Sequence, residues 1–264
     1  MKFCNASALA IAAVFVVSCT PIDTSNDGPI SLVDPFQYVE QQILDVTDES
    51  YENGNTSVAY ALKRQMLEWD IAPHEENAHA YWIAFLNFNL ARLEEHFGDS
   101  EQSLLLIDQA LGRLNSFDES HVEAQALKAI LVKSKIPLVP DETFELLMDM
   151  QDVLDNAMNL DSENFRVQLG AVMDAVIEVP GFGGEIDADA VLESALSMNP
   201  HHSENIGSIF DHPPTWGRAE VLALKAVHLR NSGNKDGAAE TIESALEEFP
   251  NHFMLRILET EELQ

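Results

Sequence analysis

The sequence predicts an all-α protein, an α-solenoid of stacked helix-turn-helix repeats behind an export leader. Three observations carry that expectation. From Phe36 onward nearly every segment places apolar residues at the helical period, and alternating strand patterns are absent. A two-helix unit with small residues at its contact positions recurs, and its second-helix alanines, Ala110, Ala157, Ala195 and Ala245, are spaced 47, 38 and 50 residues apart. The first nineteen residues have the layout of an export signal rather than of a folded element.

Residues 1–18 are that signal. Lys2 gives a short positive start, and Ala8 to Val17 form an unbroken apolar run of ten residues. A membrane-spanning helix needs about 20 apolar residues, so the run is too short to span and suits a cleaved leader. Val16-Val17-Ser18-Cys19 resembles the bacterial lipobox, with Val16 where Leu is commoner. The resemblance implies cleavage before Cys19 and lipidation of its thiol; Thr20 in place of Asp at the next position implies sorting to the outer membrane, facing the periplasm. The chain has two cysteines, Cys4 and Cys19, and cleavage would leave only the lipidated one. Such an exported protein has no intramolecular disulfide and depends on its core.

Residues 19–35 read as a flexible tether, with Pro21, Ser25, Asn26, Asp27, Gly28 and Pro29. Residues 36–76 are expected to form a degenerate helical pair that caps the stack, because a terminal repeat needs an atypical outer face. Residues 77–264 are expected to form the irregular repeat domain. Its clearest unit runs from Ala219 to His252: Leu222, Ala226 and Leu229 at helical spacing, a break at Asn231-Ser232-Gly233-Asn234, then Ala238, Ile242 and Ala245 on a second helix that Pro250 ends. Insertions are expected at Lys135–Asp141, at Val179–Glu185 and before Trp216.

This unit resembles the 34-residue tetratricopeptide repeat in its order of small residue, turn glycine, alanine, large apolar residue, alanine and proline. Upstream, Leu90-Ala91 with Gly98-Asp99, Leu169-Gly170, and Ala157 to Ser162 repeat parts of the pattern. Tyr81-Trp82, Glu163-Asn164-Phe165-Arg166, Pro180-Gly181-Phe182-Gly183-Gly184 and Trp216-Gly217 together resemble a largely uncharacterised group of bacterial envelope tetratricopeptide lipoproteins. More loosely, the Pro-x-x-Gly-Gly segment is similar to that of the TatT lipoproteins associated with TRAP-type solute transporters. The resemblance implies a tetratricopeptide-like solenoid in the cell envelope.

Composition narrows the function classes. Apolar residues make up 46% of the chain, enough for a globular core, so disorder throughout is excluded. Forty-five acidic residues against 14 Lys and Arg give a net charge of −31. Such a field repels phosphate backbones, so no nucleic-acid partner is expected. The coat favours solubility, cations or basic partners.

No motif demands catalysis. His74 and His79 are five residues apart, which turns them about 140° from each other on a helix and breaks the zinc-protease spacing. The glycines of Pro180–Gly184 are followed by Glu185, Asp187 and Asp189, without the Lys and hydroxyl of a phosphate loop. His201, His202 and His212 with Asp211 are the one set that would ligate zinc or copper if the loop folded back, and exposed loop histidines are the plainer reading. No cofactor, no metal and no enzymatic activity are therefore expected, with an unrecognised hydrolase or metal-dependent enzyme as the remaining alternative.

Shape then carries the functional expectation. Stacked helix pairs present a concave groove lined by the first helix of each unit. The usual groove positions of the resembling family fall on Phe85, Phe88, Arg92 and His96, on Asn164, Val167 and Asp174, and on Glu220, Arg230 and Asn231. Arg92 and Arg230 attract notice because a guanidinium fork takes a peptide carboxylate, although pairing with neighbouring acids competes. The expected partner is a protein or peptide of the envelope, with a small-molecule ligand as the alternative.

Overall fold

The structure, a computed structural model, describes residues 36–177, 179, 186–200 and 209–262. The leader, Cys19, the tether, Pro180–Gly184, His201 and His202 lie outside the described residues. The chain is all-α as expected, with eleven helices and no strand element among the described residues: α1 (Val39–Glu52), α2 (Ser57–Leu67), α3 (Glu76–His96), α4 (Ser100–Leu114), α5 (Val122–Lys135), α6 (Thr143–Leu160), α7 (Phe165–Val176), α8 (Ala188–Ser197), α9 (Arg218–Asn231), α10 (Lys235–Glu248) and α11 (Phe253–Glu262). Two short 3₁₀ turns, Ile136–Leu138 and Pro140–Glu142, fill the expected insertion between α5 and α6.

The helices pair in chain order, α3 with α4, α5 with α6, α7 with α8 and α9 with α10. The four alanines predicted from spacing fall on the second helix of each pair, and all are buried. A methyl side chain there lets two helix backbones approach closely. The turns repeat too. Gly98 and Gly233 sit at φ +90° and +85°, a left-handed conformation that suits glycine, directly before the N-caps Asp99 and Asn234. Each turn closes with a matching backbone bond, Asp99 N–H to Glu94 O and Asn234 N–H to Leu229 O, both 2.8 Å. The cap side chains then accept from Gln102 N and Gly237 N.

First helices also pack on one another, α5 on α7 and α7 on α9, while α11 covers α9 and α10. The centre is α3: fourteen of its 21 residues are buried, too many for a helix with one solvent face. The predicted hairpin of residues 36–76 is present as α1 and α2. It does not stand at one end of the series, because α1 packs on α3 and also on α11. Tyr51 of α1 shows why, with ring centroids 5.3 Å from His96 and 6.3 Å from Phe253. Among the described residues, no helix is long and apolar enough to cross a membrane.

Candidate functional site

The inner faces of the first helices meet in three buried clusters. In the first, Trp216 donates its indole N–H to the Tyr81 hydroxyl at 3.1 Å and stacks on Phe85 at 4.5 Å. Gly217 follows at φ +115°, and a Cβ there would stand 3.2 Å from the Phe165 ring. Only glycine allows that turn so close to an aromatic ring. Tyr81-Trp82, Phe165 and Trp216-Gly217, which suggested a family likeness, thus converge on one aromatic knot.

The second cluster clamps α5 to α7. Arg166 forks onto Glu123, with Nη2 to Oε1 at 2.7 Å and Nε to Oε2 at 3.1 Å, and its Nη1 donates to Pro200 O at 2.7 Å. Asn164 caps α7 by accepting from Arg166 N and Val167 N, and donates to Glu123 Oε1 at 2.7 Å. Burial opposes the charge on Arg166, but Glu123 outweighs it and holds the guanidinium above its ordinary range.

The third cluster joins α1, α3, α9 and α11. Arg92 lies between Phe88 and Phe253, with its guanidinium carbon 5.0 and 4.6 Å from the ring centroids, and reaches Glu220 Oε1 at 3.3 Å. His252 Nε2 meets the same oxygen at 3.2 Å. Burial pushes the Glu220 carboxyl up, yet His252 and Arg92 outweigh it and hold it at about 2. Asp48 of α1 accepts the Phe253 backbone N–H at 3.0 Å. Burial raises its carboxyl to about 6, with His252 opposing. At the other end of α1, Glu40 accepts from the Thr215 backbone N–H at 2.7 Å and from its hydroxyl, and burial raises its carboxyl as well.

Between α1 and the α9–α11 corner these groups leave a cavity of about 530 Å³. Glu40, Asp45, Asp48, Glu220 and Glu248 stand in its wall, against Arg218 and His252. A smaller cavity of about 330 Å³, walled by Phe36, Tyr38, Trp82 and His212, shares Glu40, Gln41 and Thr215 with it. The wall is acidic and partly apolar, suited to binding a cationic group.

Of the expected groove residues, Glu220 alone stands in the wall of the larger cavity. Phe85, Phe88, Asn164, Val167 and Glu220 are buried, so they do not line an open surface. The reason is closure. Because Trp216 and Glu220 reach back to α3, the inner face packs on itself and on α1 instead of facing solvent. Arg92 joins that core through Glu220. Asp174 pairs with Lys133 at 2.9 Å, and Arg230 pairs with Glu261 at 2.9 Å near the surface, so both guanidinia meet acids of the same chain. His96 and Asn231 are exposed.

Asp45, Asp48 and His252 escaped the sequence reading because acidic pairs are everywhere in this chain. The one available signal was His252 immediately after the helix-ending Pro250-Asn251. Of the loop histidines only His212 falls among the described residues, and no metal-binding group of His, Cys, Asp or Glu occurs among them. Comparison with family models, curated proteins and solved structures finds no match to the chain.

Proposed function

We propose that the protein is a non-catalytic binding and scaffolding module of the cell envelope, a tetratricopeptide-like solenoid held at the outer membrane by lipid on Cys19. In this reading the solenoid is wound tightly enough to close its own groove, and the partner meets the acidic cavity beside α1. The observation that carries the reading is that cavity, a recess of about 530 Å³ with five carboxylates in its wall. Its wall favours a basic protein or peptide of the envelope. Its volume also lies within the roughly 300–1,000 Å³ of small-ligand sites, which favours a solute-holding transport accessory of the TatT kind as second reading.

The test is site-specific photocrosslinking in intact cells. A photoreactive residue at Gln41, on the cavity rim, should capture a partner, while one at Asp152, exposed on α6, should not. Capture at Asp152 without capture at Gln41 would remove the cavity from the binding surface.

A further inference from the structure

We propose that the flank shared by α2 and α4 is a membrane-facing strip that takes anionic phospholipid headgroups and so sets the orientation of the anchored body. This rests on the lipid anchor of the reading above and specifies which side of the molecule meets the bilayer. The first support is charge placed against the trend of the chain. Although the net charge is −31, the side chains that join these two helices are neutral or basic. Gln102 donates to the Tyr60 hydroxyl and Lys63 donates to Gln109 Oε1, both at 2.8 Å. One turn further on, Leu67 and Arg113 continue the same flanks, with Arg64 beside Lys63. Glu68 and Glu101 stand only at the rims, four residues from Arg64 and from Leu105.

The second support is that these cations go unanswered. Most lysines and arginines of the described residues pair with an acid of the chain, as Lys135 does with Asp108 on another flank of α4. Lys63, Arg64 and Arg113 form no ion pair among the described residues. Lys63 and Arg113 are half-buried. Burial lowers both below their ordinary ranges, and Arg113 adds its repulsion at Lys63. An arriving headgroup phosphate relieves both, and its oxygens accept from a guanidinium fork. Arg64 and Arg113 lie in the last turns of their helices, where the carbonyl dipoles favour a cation. Each helix end supplies only about half a charge, so the strip stays positive.

Position selects a bilayer over an acidic protein. The chain from Cys19 enters the described body at Phe36, whose ring meets Trp69, just beyond α2, edge-on at 5.7 Å. The anchor therefore arrives at the α2 side of the molecule. Leu67 and Leu105 are 46% and 49% exposed, so large apolar side chains stand among the cations, the mixture that an interfacial surface uses. The acidic coat does the rest. Anionic headgroups repel it over a Debye length of about 8 Å at physiological salt, which turns the acidic faces away and the strip toward the lipid.

Photocrosslinking on vesicles tests the proposal. The protein purified from cells, with a photoreactive residue at Leu67, is held on the vesicle through Cys19, by its own acyl chains or, where it has none, by a maleimide lipid. Vesicles of phosphatidylethanolamine with about one-quarter phosphatidylglycerol should give a lipid adduct at Leu67. The adduct should fall about tenfold or more on phosphatidylcholine vesicles, in the double variant Lys63→Gln with Arg113→Gln, and near 1 M salt, where the Debye length is roughly 3 Å. Arg64→Gln, on an exposed side chain, should lower it several-fold and serves if the double variant fails to fold. A photoreactive residue at Asp152, exposed on α6, should give only background. The proposal is overturned by adducts at Leu67 no stronger than at Asp152, by equal adducts on neutral vesicles, or by indifference to the charge variants. Capture of a protein instead of lipid at Leu67 in intact cells would also overturn it, and would assign the strip to an acidic partner. Intact mass reports acyl chains on Cys19 separately, so a protein without them refutes the anchor while the maleimide tether still tests the strip.

Discussion

Arg92 shows how one side chain decides between an open groove and a closed core. A guanidinium in a groove awaits a foreign carboxylate, whereas this one lies between Phe88 and Phe253 and pairs with Glu220, 128 residues away in sequence. Truncating both Phe88 and Arg92 to alanine should therefore unfold the protein rather than remove a partner from an intact scaffold. A buried Phe→Ala change alone costs about 3–5 kcal/mol, and Glu220 is left paired only with His252. Chemical denaturation checks this, and an unchanged midpoint would contradict it.

Asp48 gives a residue-scale test in pH. Folding raises its carboxyl from the ordinary 3.8 to about 6, so the folded state holds that proton more tightly than the unfolded chain. Its contribution is thus fully present below 3.8 and is lost as pH rises through about 6. The groups facing it are Asp45 on α1, Glu220 on α9, Arg92 on α3 and His252 before α11. Asp48→Asn should match the parent at low pH and exceed it above about 6, by about 1 kcal/mol after allowing for partial solvent screening. Melting temperatures of the two proteins across that range decide it.

At the scale of elements, the pairing of helices was legible and their convergence was not. Small residues must recur where two helices touch closely, so Ala110, Ala157, Ala195 and Ala245 announced α4, α6, α8 and α10. A glycine followed by Asp or Asn announced the turns at Gly98 and Gly233, since the left-handed position and the cap each demand a residue type. What escaped was long-range. Phe85 and Phe88 look alike in a groove and in a core, and only the return of Trp216 to α3 tells which they are. Asn164 and Arg166 were noticed as a motif, but the Glu123 partner that explains them lies on another helix. That clamp gives the test at this scale. Arg166→Met keeps much of the volume and leaves Glu123 buried without its counterion, so it should cost about 3–5 kcal/mol. Arg166→Lys should recover only part of this, because an ammonium does not fork onto both carboxylate oxygens. Urea unfolding of the two variants separates them.

At the scale of the whole molecule, α1 is the piece that turns a row of helix pairs into a sealed body. Its apolar face buries Val39 and Ile43, and its polar ends fasten to Thr215 through Glu40 and to Phe253 through Asp48. The candidate cavity exists because α1 lies against the α9–α11 corner, while Trp216 and Glu220 close the inner residues onto α3 behind it. In so acidic a chain neither consequence was visible from composition, which speaks to solubility and partner charge but not to which helices meet.

Amide hydrogen exchange resolved along α1 is the most direct measurement of that closure. A helix integral to the core opens only with the core, so the amides of Thr47 to Ser50 should exchange as slowly as those of α3 and follow global stability when denaturant is added. Exchange in α1 orders of magnitude faster than in α3, with α3 still protected, would show α1 leaving the inner face on its own. The inner face would then be uncovered on its α1 side in solution, and closure by α1 would be refuted.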